Sequence, residues 1–112
     1  MAYDEALADR VRELLAAESR VTEQRMFGGL AFLIRGNMAV AVSREGGLLV
    51  RVDPAESVAL LAKPGARPME MRGRAMSGWL RVDADAVRTK RQLTTWVGRG
   101  VTYASGLPAK SR

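Results

Sequence analysis

The chain has 112 residues, the length of one domain with one core, and 47% of them are apolar. It contains no cysteine and no histidine, which excludes disulfides, thiolate nucleophiles, sulfur-based zinc sites and every histidine-dependent catalytic triad. The net charge of +6 is uneven: residues 1–56 carry seven Lys/Arg against nine Asp/Glu, and residues 57–112 carry eleven against three.

From Tyr3 to Glu18, Leu7, Val11, Leu14 and Leu15 recur at the spacing of one helical face, with Asp4 and Glu5 at the end where the helix dipole favours acid. This acidic start does not resemble a signal peptide, and no apolar run approaches the roughly 20 residues of a membrane span. A soluble, cytoplasmic protein is expected. Val21-Thr22 opens a more extended stretch. After Gly28-Gly29, Leu30–Ile34 is predicted to be a buried strand, Gly36-Asn37 a hairpin turn, and Met38–Ser43 the returning strand. Arg44–Gly47 turns again into a third strand, Leu48–Val52, which completes an antiparallel meander.

Asp53-Pro54-Ala55-Glu56 combines an N-cap, a proline at the first helical position and a capping-box acid. The helix it starts should reach about Ala62 and bury Val58 and Leu61. Lys63–Pro68 is predicted to be a loop because its prolines and glycine break periodic structure. Met69–Met76 alternates at first and then passes a glycine, and Trp79–Val82 reads as another strand. Thr89-Lys90-Arg91-Gln92 is a second capping box, opening a helix that carries Leu93, Trp96, Val97, Val101 and Ala104 on one face, with Gly106 and Pro108 at its end. No internal repeat or linker interrupts the order, so one domain over residues 3–107 is expected, followed by a short basic tail at 108–112.

At Arg25-Met26-Phe27-Gly28-Gly29-Leu30-Ala31-Phe32 the chain resembles the TfoX/Sxy N-terminal domain family, whose signature is an Arg and Met-Phe-Gly-Gly stretch between a first helix and a meander. The likeness extends through Gly36-Asn37-Met38, Gly78-Trp79 and a last helix bearing Trp96 and Tyr103. It implies an α+β fold of the secretion-chaperone-like type, in which N-terminal, middle and C-terminal helices pack on a curved antiparallel sheet. It also implies kinship with competence regulators that act with the cyclic-AMP receptor protein. The two-domain members of that family carry a further C-terminal domain, and this chain is expected to be a stand-alone N-terminal domain.

Several residue groups are open to a functional and a structural reading. Gly28-Gly29 with Arg25 could form an anion-binding nest; the alternative is a bend, with Met26 and Phe27 filling the core beneath the first helix. Met69, Met71 and Met76 suit either a plastic groove for a partner peptide or a core face. Arg72, Arg74 and Arg81, with Arg88, Lys90 and Arg91 around the start of the last helix, are candidate contacts for an anion or nucleic acid, or else a solvated face. With only six aromatic residues, stacking platforms for single-stranded nucleic acid are not expected. No catalytic, metal or cofactor site is expected. The leading expectation is a non-enzymatic regulatory or adaptor domain acting through a protein partner in transcription regulation, as monomer or homodimer. Direct non-specific nucleic-acid binding is the alternative, and a small-ligand protein or enzyme ranks below both.

Overall fold

Strand alternation sends successive side chains to opposite faces of a sheet, so the face that meets the helices decides which strand residues form the core. The computed structural model describes residues 3–26 and 28–109. The elements run α1 (Glu5–Leu14), β1 (Val21–Met26), β2 (Gly29–Ile34), β3 (Asn37–Val42), β4 (Leu48–Arg51), α2 (Ser57–Leu61), β5 (Ala66–Met71), β6 (Arg74–Val82) and α3 (Lys90–Ser105). The six strands form one antiparallel sheet in the order β1-β2-β3-β4-β6-β5. The fold is therefore α+β, with the expected meander at the sheet centre.

One residue set from the central strands, Phe32, Val40, Val42, Leu48, Val50, Leu80 and Val82, packs against Leu7 and Val11 of α1 and Leu93, Trp96 and Val97 of α3. Burying each large side chain of this kind contributes about 1.5–3 kcal/mol. The Thr89 capping box forms as expected: Gln92 N–H donates to Thr89 Oγ1 at 3.1 Å, and Thr89 N–H donates to Gln92 Oε1 at 2.9 Å. Gly100 lets α3 settle onto β3, since a Cβ there would fall on the Ala39 carbonyl oxygen. Arg12 fastens α1 to the edge strand β1, donating to both Glu23 carboxylate oxygens at 2.7 and 2.9 Å. Those hydrogen bonds hold the Glu23 carboxyl below the usual carboxylate range.

Several local expectations shift. Ile34 pairs with Asn37, so the turn residues are Arg35 and Gly36, at φ 51° and 87°, rather than Gly36-Asn37. The displacement releases both flanking side chains to the end of α3. Arg35 Nη2 donates to the Ser105 and Leu107 carbonyls at 3.1 and 2.8 Å, and Asn37 Nδ2 donates to the Pro108 carbonyl at 2.9 Å. The expected tail is thus still tied to the domain at its first residue. Gly106 closes α3 in a right-handed conformation, so these side chains take the role that a left-handed glycine cap often has.

The middle helix begins as a 3-10 turn over Pro54–Glu56, with Asp53 Oδ1 accepting from Ala55 N–H at 2.9 Å. That start changes the phase of α2. Ser57 and Leu60 are buried and Leu61 packs half-buried against the core, but Val58, expected inside, is 80% exposed. Two polar stretches are strands: β1, with four exposed residues between half-buried ends, and β5, which holds Pro68. Both lie at sheet edges, where a missing N–H or an outward polar side chain leaves no ladder partner unsatisfied. Among the described residues no helix is long and apolar enough to cross a membrane.

Candidate functional site: the uncovered face of the sheet

The residues that alternate with the core set point away from the helices. Ala31, Met38 and Ala41 form a second apolar cluster with Met26, Leu33, Leu49 and Trp79, composed of strand residues alone. Met26, Leu33, Leu49 and Trp79 are only partly buried, and Met71 is 40% exposed. Among the described residues, the sheet therefore has one face under helices and one apolar face without them.

The β5–β6 hairpin shapes this second face. Pro68 pairs with Leu80, but Glu70 pairs with Ala75, so a long stretch of β6 opposes Met69 alone. Gly78 sits inside that stretch at φ 87°, a left-handed conformation that bends the strand. Met69 and Met71 consequently line a groove of about 520 Å³ together with Met26, Met38, Ala41 and Leu49. Met26 belongs to one edge strand and Met69 to the other, so the sheet curls around the groove. Ser43, Arg44, Glu45, Glu70 and Arg81 supply its polar lining. Arg51 is also oriented by aromatic contact, its guanidinium carbon 5.1 Å from the Trp79 ring centre and 5.6 Å from that of Tyr103.

The glycine signature is the connection between β1 and β2. Met26 pairs with Gly29, and Gly28 takes φ 80° beneath the Arg44 side chain. A Cβ on Gly29 would fall on the Val42 carbonyl oxygen, so close approach to β3 requires glycine there. Arg25 is exposed on β1, and Met26 packs on the face opposite α1 instead of beneath it. Phe27 lies outside the described residues. The pair thus serves a tight hairpin, and the methionine it positions belongs to the groove.

The six basic candidates fall in three places. Arg72 and Arg74 flank Gly73 at the β5–β6 turn, with Arg72 at φ 55° and Gly73 at 78°. Arg81 lies on the groove side, its Nη1 3.4 Å from Glu45 Oε1 and 3.2 Å from Ser43 Oγ. Arg88, Lys90 and Arg91 are exposed at the start of α3, in the helical layer. There the Arg88 carbonyl accepts from Arg10 Nη2 at 2.9 Å. Arg81 and the α3 group therefore serve opposite layers of the domain. Among the described residues, no group of three or more carboxylates is arranged to hold a metal ion.

Of the three methionines singled out in the sequence, Met69 and Met71 line the groove and Met76 does not. Met38 and Leu49 were missed because the central strands are apolar on both faces, and periodicity alone cannot say which face the helices cover; Met26 was singled out with the signature but expected beneath the first helix.

A one-layer helical cover on a curled antiparallel sheet defines a small α+β domain with an exposed apolar groove. A family model described as the TfoX N-terminal domain matches residues 13–104, and the chain belongs to that family. No curated protein and no solved structure matches it at a significant level.

Proposed function

We propose that the domain is a non-enzymatic regulatory or adaptor module that works by contact with another protein, in transcription regulation. The observation that carries this reading is the apolar sheet face without helices, where Leu33, Leu49, Trp79 and Met71 remain accessible to solvent. Apolar surface gathered on one face and rimmed by charge is characteristic of association sites. Membership of the TfoX N-terminal domain family supports the regulatory part of the reading. The test combines gene deletion with affinity purification of the tagged full chain. Altered transcript levels on deletion and a reproducible set of co-purifying proteins are expected; unchanged transcripts with no co-purifying protein would overturn the reading.

A second reading, direct nucleic-acid binding, is favoured by one observation: Arg72 and Arg74 are both exposed on a tight turn and have no ion-pair partner among the described residues. Anisotropy against labelled duplex DNA and structured RNA at low and physiological salt tests it. Binding that persists at physiological salt and is lost in Arg72→Ala/Arg74→Ala would support it. Binding confined to low salt would reject it.

A further inference from the structure

We infer that the methionine groove receives a segment of a partner protein whose apolar side chains enter between Met26, Met38, Met69 and Met71 and whose carboxylates meet the arginines around it. This rests on the reading that the domain acts by protein contact, and it specifies the chemistry of the partner.

Unbranched thioether side chains change rotamer at little cost and present polarizable surface, which suits a groove that must accept inserted side chains of varied shape. Four of the six methionines in the chain line this one groove, although they come from three different strands. The groove is lined from both edge strands, β1 and β5.

Charge selects among occupants. Arg44 and Arg81 line the groove, Arg51 stands over Trp79, and Arg72 and Arg74 flank Met71 at the hairpin turn; Glu45 and Glu70 are the carboxylates in the lining. Glu45 is already shared with Arg81 at 3.4 Å, and Arg44, Arg72 and Arg74 have no ion-pair partner among the described residues. The lining itself sets two arginines against two carboxylates, and Arg72 and Arg74 beside Met71 leave the rim basic. A second copy of a chain with net charge +6 would set this rim against itself, and like charges across an interface are disfavoured. Nucleic acid would satisfy the arginines but supply no apolar side chains for the methionines. An apolar segment flanked by Asp and Glu satisfies both.

The experiment is selection from a displayed library of random short peptides on the purified full chain, followed by anisotropy of the enriched peptide against wild type and Met71→Glu. Met71 is partly exposed, so the substitution places a carboxylate at the groove without emptying the core. Enriched sequences should combine apolar anchors with acidic flanks, and Met71→Glu should weaken their binding roughly tenfold or more. Methyl spectra of methionine-labelled wild type supply a measurement independent of any variant's folding: the peptide should shift the Met26, Met38, Met69 and Met71 signals and leave Met76 in place. A basic consensus, no consensus, wild-type affinity in Met71→Glu, or shifts outside the groove would overturn the assignment. So would a light-scattering dimer that Met71→Glu dissociates, or displacement of the peptide by duplex DNA. Partners recovered in cells without a groove-binding peptide would defeat this inference while leaving the adaptor reading intact; a groove-binding peptide without cellular partners or transcript effects would do the reverse.

Discussion

Replacing Gly100 and Gly98 by alanine, one at a time, tests how closely α3 sits on the sheet, and hence why one face is covered and the other open. Both glycines lie within α3, where exchange for alanine alone gains about 0.8–1 kcal/mol of helix propensity. At exposed Gly98 an added Cβ meets nothing within 4 Å, so that gain should appear in full. At Gly100 the Cβ falls on the Ala39 carbonyl oxygen and comes within 2.9 Å of Val40 Cγ1. The obstacle is strand backbone, which cannot rotate aside, so α3 must lift from β3. Overpacking of this kind costs about 1–3 kcal/mol, and a backbone clash belongs at the upper end. Net, Gly100→Ala should lose about 2 kcal/mol and Gly98→Ala gain about 1 kcal/mol, a separation of about 3 kcal/mol. At about 4 °C per kcal/mol for a domain of this size, the two melting temperatures should differ by about 12 °C. Urea denaturation of both variants, with unchanged m-values, is the assay. Equal stabilities, or a more stable Gly100→Ala, would refute the close packing of α3 on β3.

The remaining predictions concern the anchoring of the two helical ends. Asn37→Ala removes a buried donor to the Pro108 carbonyl and should cost about 1–3 kcal/mol, with faster amide exchange at Gly106 and Leu107; unchanged stability and exchange would show that the end of α3 is held without it. The Glu23–Arg12 clamp should be pH-dependent. Because the folded state lowers the Glu23 pKa, its stabilisation is present at neutral pH and is lost as pH falls through the folded-state value. The pair is exposed enough that the effect should stay within about 1 kcal/mol. The stability gap between wild type and Glu23→Gln should therefore close on acidification, and a gap that persists at acid pH would contradict the clamp.

The central meander and both capped helix starts were readable because each rests on local chemistry. Alternation around Gly36 and Gly46-Gly47, and a capping residue at Asp53 and Thr89, act within a few residues of the structure they determine. The edge strands were only partly readable. In β1, Thr22-Glu23-Gln24-Arg25 carries no apolar alternation because neither side of an edge position need be buried, and in β5 Pro68 resembles a loop signal. The Arg72-Gly73 turn was not recognised beyond its glycine because its first residue adopts φ > 0 without being Gly, Asn or Asp. The helix-phase error at Val58 follows from the 3-10 start, which the sequence does not distinguish from an α-helical one.

The groove shows the same limit at larger scale. Met69 and Met71 announced themselves by alternation, but their partners come from β1, β3 and β4, brought together by the curl of the sheet and the bend at Gly78. Basic charge gave the opposite result. A strong excess in the second half of the chain resolves into a hairpin turn, a groove-side arginine and a helix start, because sequence proximity does not place residues on one surface.

The most direct measurement is site-specific photocrosslinking in cells, with the reactive side chain placed at Leu49 or Met71 on the open face and, as controls, at Val58 or Thr95 on the helical side. A protein crosslinked from Leu49 and Met71 but not from Val58 or Thr95 is the predicted result. Crosslinks confined to the helical side, or to nucleic acid, would contradict the claim that this domain works through the uncovered face of its sheet.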